Sequence, residues 1–202
     1  MKNLPHILFL ADTTHQAGAV RDHIRAVSAS DGKVFHWTIL NPLSFKTIDK
    51  LDLSQFDAIG IHFSIKIHGH YYLPRTLKQK IKAYSGLKFI FLQDEYQKVN
   101  STQRIMAYLG MHMLFTLVQP SLFKQAYPSK HLNHLKMIWV LTGYVDDELL
   151  NLAPQPIQDR PIDVSYRSRR NDYRLGRLGY DKVWLAETFP KHVNASSLKL
   201  GI

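Results

Sequence analysis

The sequence predicts an α/β protein with a Rossmann-like, mainly parallel, doubly wound sheet, and three observations carry that expectation. Short apolar runs alternate with polar loops and longer amphipathic stretches, the pattern of βαβ units. Ala58-Ile59-Gly60-Ile61 and Phe89-Ile90-Phe91-Leu92 are apolar at every position, as strands covered by helices on both faces must be. With 202 residues, 45% of them hydrophobic and 21% charged, the chain can bury a core without metal or disulfide.

The elements follow in order. His6–Ala11 is an apolar run too short for a secretory h-region plus cleavage site, so it reads as a first strand. Gln16–Ala29 places Ala19, Val20, His23, Ile24 and Val27 on one helical face. Strands are then expected at Val34–Leu40, Ala58–Phe63, Phe89–Leu92, Met113–Val118 and Met137–Leu141, and helices at Leu73–Tyr84, Thr102–Leu109 and Ser121–Gln125. Pro74, Ser101 and Ser121 mark helix starts, and Gly32, Gly86 and Gly110 mark ends. Six strands at this spacing suggest one open sheet occupying residues 1–152. Residues 153–161 hold Pro154, Pro156 and Pro161 with no periodicity and read as a linker. Residues 162–202 then supply a strand, Ile162–Tyr166, a helix from about Leu178 to Phe189 and a tail: an extra C-terminal β–α unit that begins a second domain without completing it.

Composition excludes several classes. The chain has no cysteine, hence no disulfide, thiolate nucleophile or Cys-based metal site, which fits a cytoplasmic protein. No run approaches the ~18 apolar residues of a membrane span; membrane association would be peripheral, at the inner face. The net charge of +10 favours an anionic partner. Its basic residues are spread out and no recognised nucleic-acid motif accompanies them, so specific nucleic-acid binding is not expected. There is no GxxxxGK[ST], no GxGxxG after the first strand and no GxSxG elbow.

In an open parallel sheet ligands bind beyond the C-terminal ends of the strands, which directs attention to four loops. Asp12, Thr13, Thr14 and His15 put a carboxylate, two hydroxyls and an imidazole before the first helix; His15 could serve as a general base, or Thr13 or Thr14 could simply cap the helix. His62, His68, His70 and Tyr71 follow the third strand. With no carboxylate nearby they suit sugar binding better than metal, and no metal is expected. Asp94 and Glu95 end the fourth strand, either as base and hydroxyl ligand or as an acidic turn before a helix. Arg167, Arg169 and Arg170 lie in a basic, glycine-containing loop that could hold a diphosphate or be a solvated surface.

Four segments then become familiar together: Ile7-Leu8-Phe9-Leu10-Ala11-Asp12-Thr13-Thr14, Phe91-Leu92-Gln93-Asp94-Glu95-Tyr96, Thr142-Gly143-Tyr144-Val145 and Arg160-Pro161-Ile162-Asp163-Val164-Ser165-Tyr166-Arg167. In this order they resemble bacterial family-1-like glycosyltransferases of the two-domain GT-B architecture, over nearly the whole chain to about Phe189. The resemblance implies an acceptor-side domain of GT-B N-terminal type at 1–152, a hinge at 153–161 and the opening of a donor domain from 162. It implies transfer of a sugar from a nucleotide-sugar to a glycan or lipid-linked acceptor, as used in polysaccharide biosynthesis. His15, Asp12, Asp94 and Glu95 would do chemistry, Thr13, Thr14, His62, His68, His70 and Tyr71 would hold acceptor, and Arg167, Arg169 and Arg170 would face the donor diphosphate. No cofactor is implied beyond that nucleotide-sugar substrate.

The pattern breaks at the end. Retaining members of such families usually carry two glutamates eight positions apart late in the donor domain. Here the only acid after Asp181 is Glu187, and position 195 is Ala195. The expectation is therefore a truncated transferase, incomplete or inactive as this chain. Two other readings compete with it. One is a non-catalytic Rossmann-like module that pairs with a partner or a second copy through residues 162–189, where Val183, Trp184 and Phe189 would be exposed. The other is a basic anion or nucleic-acid binder.

Overall fold

The computed structural model describes residues 4–44, 48–69, 71–141, 143, 150–166, 176–194 and 198–201. The chain divides into two compact units, Met1–Leu150 and Asn151–Ile202.

The first unit is an α/β layer structure on a six-stranded, wholly parallel sheet. Its strands are β1 (His6–Leu10), β2 (His36–Leu40), β3 (Ala58–Ile61), β4 (Leu87–Phe91), β5 (Met113–Thr116) and β6 (Lys136–Trp139), in the order β2-β1-β3-β4-β5-β6. The helices are α1 (Gly18–Val27), α2 (Arg75–Ala83), α3 (Val99–Leu109) and α4 (Phe123–Ala126). From β1 the chain steps to β2 on one side, then crosses to β3 on the other and continues outward. Right-handed crossovers therefore send α1 to one face and the later connections to the other.

The packing follows that division. Leu8, Leu10, Ile59, Ile61, Ile90 and Leu114 face a large core shared with Leu77 and Ile81 of α2 and Met106 and Leu109 of α3. The alternate residues Ile7, Phe9, Ala58 and Phe89 pack with Ile24 of α1. A parallel strand apolar at every position is thus buried twice, once per face. Gly60 sits where the α1 face is crowded: a Cβ there would clash with the edge of the Phe89 ring and lie 2.8 Å from Phe9 Cδ2.

Several boundaries differ from the sequence expectation, for identifiable reasons. β4 starts two residues early and includes Lys88, which is buried because its ammonium donates to the carbonyls of Tyr84 (2.9 Å) and Ile81 (3.4 Å). The lysine caps the C-terminal end of α2, where carbonyls lack helical partners. α1 begins at Gly18 with Ala17 as its uncapped N-cap, so neither Thr13 nor Thr14 caps it. α3 begins three residues before Thr102, behind Lys98 rather than Ser101, and ends at Gly110 with φ 67°, a left-handed C-terminal residue.

In the second unit, β7 (Val164–Ser165) pairs in parallel with β8 (Leu200–Gly201), and α5 (Arg177–Asn194) lies between them in sequence. α5 runs through Pro190 rather than stopping before it. Trp184 is exposed, but Val183 and Phe189 are half-buried and Phe189 packs against the Tyr166 ring at 6.2 Å. The expected apolar face is correspondingly narrower. No described helix is long and apolar enough to cross a membrane.

Candidate functional site at the C-terminal edge of the sheet

The strand order places a crevice beside β1, between the loops that follow β1 and β3, because their connections leave to opposite faces. The polar residues that end these strands meet there. Asp12 is buried and its Oδ1 accepts three hydrogen bonds: from Thr14 N–H (3.0 Å), Thr14 O–H (2.7 Å) and Asn41 Nδ2 (3.2 Å). Its Oδ2 accepts none among the described residues, which leaves half of the carboxylate for a ligand. Thr13 is exposed, with Oγ1 3.5 Å from Asn41 Nδ2. The His15 ring accepts the Ala17 N–H at Nδ1 (3.1 Å). A neutral imidazole in that contact carries its proton on Nε2 and donates from there.

His62, at the end of β3, is fully buried and joins this loop to α1. Ser64 N–H donates to His62 Nδ1 (3.1 Å), the Ser64 hydroxyl lies 2.8 Å from the same nitrogen, and Ser64 Oγ accepts the Asp12 N–H (2.9 Å). Nδ1 is therefore the acceptor and the proton is assigned to Nε2, which donates to Nδ1 of His23 3.0 Å away. Burial first, then the charges of His23 and His15, pushes the His62 pKa down to about 3. Burial also lowers that of His23. The chain Asp12 N–H, Ser64, His62, His23 is a one-directional series of neutral hydrogen bonds. It ends at His23, which lines a cleft with Phe63, Phe91, Gln93 and Leu117.

Glu95 stands apart from this group. Its carboxylate accepts from the Thr116 hydroxyl (2.7 and 2.9 Å), Leu117 N–H (2.8 Å) and the Tyr127 hydroxyl. Burial and the hydrogen bond to Glu95 push the Tyr127 pKa up. The acid pins the loop after β4 to the end of β5 and to the residue after α4. Asp94 is exposed in a left-handed conformation, φ 57°, and neither acid lies in the first turn of α3. Asp94, Glu95, Lys66 and His68 line a second cleft, on the α3 side, that opens to solvent.

Of the residues singled out in the sequence, the structure brings together Asp12, Thr13, Thr14, His15 and His62. Asp94, Glu95 and His68 gather around the other cleft, and Tyr71 is exposed against Tyr72. His70, Arg167, Arg169 and Arg170 lie outside the described residues, as do Thr142, Tyr144 and Val145. His23, Ser64 and Asn41 are members of the first site that sequence reasoning missed. Among the described residues no group of three or more His, Asp or Glu is placed to hold a metal ion. No family model, curated protein or solved structure matches the chain.

Proposed function

We propose that the first unit is the acceptor-binding half of a nucleotide-sugar-dependent glycosyltransferase of GT-B type. The observation that supports this most is the split use of Asp12: one carboxylate oxygen fixed by three donors, the other unpartnered at the sheet's ligand-binding edge, beside His15. A carboxylate oxygen of that kind suits a sugar hydroxyl, which is both donor and acceptor. An imidazole N–H such as that of His15 can complete the pair. The resemblance of the β1 and β4 segments to family-1-like glycosyltransferases points the same way. The linker and the β–α unit from residue 162 would open the donor side.

In this reading Asp12 Oδ2 takes the proton of the acceptor hydroxyl as its oxygen bonds to the anomeric carbon of the donor. The bond from that carbon to the diphosphate breaks, and the nucleoside diphosphate leaves with both bonding electrons. General-base assistance of this sort is typically worth about 10²–10⁴ in rate. His15 orients the hydroxyl as a donor; to act as the base itself it would have to give up its contact with Ala17 N–H and change tautomer.

Asp12→Asn is the informative variant, because the new side-chain oxygen can keep the Thr14 and Asn41 contacts while the free oxygen becomes an amide. Saturation-transfer NMR of the full chain against a saccharide panel, with and without UDP- and GDP-sugars, should show saccharide contact that survives Asp12→Asn and weakens in His15→Ala. Any acceptor-dependent release of nucleoside diphosphate should drop by about 10²–10⁴ in Asp12→Asn. Absence of saccharide contact in the wild-type chain would defeat the proposal.

A further inference from the structure

The α1 face of the sheet is only partly covered. Of the first unit's described helices, α1 packs on the layer that holds Phe9, Phe89 and Phe91, while α2 and α3 pack on the other. A cleft of about 190 Å³ remains over the C-terminal ends of β3 to β6. Phe63, Phe91, Leu117 and Val140 line it from the strand ends, and Val20 and His23 line it from α1. An apolar cavity of about 150 Å³ takes one benzene ring, so the cleft has room for a single ring and not for two fused ones. The Phe91 ring is held by its stack on Phe115, with centroids 4.5 Å apart at 14°. His23 meets Phe63 and Phe91 edge-on, at 5.1 and 5.7 Å. Fixed aromatic walls of this kind favour a flat guest.

A second observation, independent of shape, fixes the polarity of that guest. Because Ser64 N–H donates to His62 Nδ1, the His62 proton sits on Nε2 and is donated to His23 Nδ1. His23 therefore carries its own proton on Nε2. That nitrogen has no hydrogen-bond partner among the described residues, and no buried side-chain nitrogen among them lacks one, so Nε2 is open to the cleft that His23 lines. Burial keeps the ring neutral. A neutral donor in an apolar lining does not repay the burial of a charge, so the group it meets is an uncharged acceptor such as a carbonyl. The Gln93 side chain, which also lines the cleft and is exposed, offers a donor and an acceptor together and matches a cyclic amide edge.

We infer that this cleft binds a neutral, planar, single-ring heterocycle of the pyrimidine-base class, between Phe63 and Phe91, with a ring carbonyl accepting from His23 Nε2–H and its amide edge at Gln93. The hydrogen-bond series from Ser64 through His62 then has a purpose at its far end: it fixes His23 as a donor before the ligand arrives, which spares the cost of choosing a tautomer on binding. The inference does not rest on the transfer reading, because the saccharide contacts assigned there run through Asp12 and His15, and neither lines this cleft.

The test follows the His23 ring by ¹H–¹⁵N NMR while 1-methyluracil is added to the full chain, with affinities in the variants read from the ligand's own resonances. A saturable shift at Nε2 is expected, with the tautomer unchanged. Binding should be roughly fivefold weaker or more in His23→Phe, which keeps a ring and loses the donor. It should stay near wild type in His23→Gln, whose carboxamide can accept from His62 and still donate into the cleft. Ala19→Phe, which adds a ring to the cleft from an exposed position on α1, should abolish binding while leaving the His62–His23 hydrogen bond in place. Unfolding midpoints of the variants check that the fold is kept. A response that does not saturate, or that survives either His23→Phe or Ala19→Phe undiminished, overturns the site. Equally tight binding of two-ring 9-methyladenine, or of non-planar 1-methyl-5,6-dihydrouracil, overturns the assignment to a single flat ring. Because 1-methyluracil carries no sugar, a positive titration beside a negative saccharide screen would leave this site standing and remove only the transfer reading.

Discussion

At the scale of single residues the fold holds His62 neutral. Its Nδ1 accepts from Ser64 N–H, its Nε2 donates to His23, and no carboxylate among its hydrogen-bond partners would repay a positive charge. The consequence for stability has a definite sign. The folded pKa, about 3, lies below the ordinary histidine value of 6.5. Between those values the unfolded chain binds a proton that the folded chain refuses, so stability is fully present above pH 6.5 and lost as the pH falls toward 3. The steepest slope is about 1.4 kcal/mol per pH unit, and His23, shifted in the same direction, adds to it. Urea unfolding should therefore show a loss of about 1–2 kcal/mol between pH 7 and pH 5, above the range where most carboxylates titrate. In His62→Gln that slope should fall by half or more; an unchanged slope would mean that His62 is not held neutral. The sequence showed that a histidine follows an apolar strand, but not its partner. His23 stands thirty-nine positions away on a face read as core, because helical spacing reports which way a residue points and not what it meets across the sheet.

At the scale of elements, all six strands of the sheet and the four helices beside it were legible, since each follows from local periodicity and from an open parallel sheet's need to bury both faces. Boundaries failed where a polar side chain had an unforeseen partner. Lys88 lay outside the expected strand and caps α2; Lys98, not a serine, precedes α3. The uniformly apolar pattern of β3 hid one constraint. Gly60 reads in sequence as a small apolar position, yet the rings of Phe9 and Phe89 approach it from the neighbouring strands, with centroids 6.3 Å apart at 21°. Gly60→Ala must displace an aromatic ring in a packed face and should cost about 1–3 kcal/mol. The denaturant midpoint should drop while the m-value stays constant. Phe89→Leu in the same chain should recover part of the loss, a non-additivity expected only of residues in contact. An unshifted midpoint in Gly60→Ala would show that the close approach is slack.

At the scale of the whole molecule, the division after Leu150 is a statement about where contacts are made, and the first strand of the second unit is reached through a segment that makes few. Every residue from Asn151 to Asp163 is exposed, and its described structure amounts to a single 3₁₀ turn at Ile157–Asp159. Three prolines in the nine residues 153–161 remove backbone donors and leave no apolar period to bury. Exposed backbone with few partners opens without unfolding its neighbours, and such segments are where proteases cut first. Lys and Arg are absent between Asn151 and Gln158, so trypsin has little to use there: Arg160 precedes Pro161, a bond it cleaves poorly. Thermolysin, which cuts before large apolar residues, can use Ile157, 80% exposed, and Ile162. Brief thermolysin treatment of the native chain should therefore give one early cut between residues 151 and 163. The fragment carrying residues 1–150 should resist further digestion, because its open sheet buries an apolar layer of its own on each face. If cuts appear first within β1 to β6, or at the same rate throughout, the first unit does not hold together as a unit and the crevice beside β1 would lose the rigid edge on which its chemistry depends.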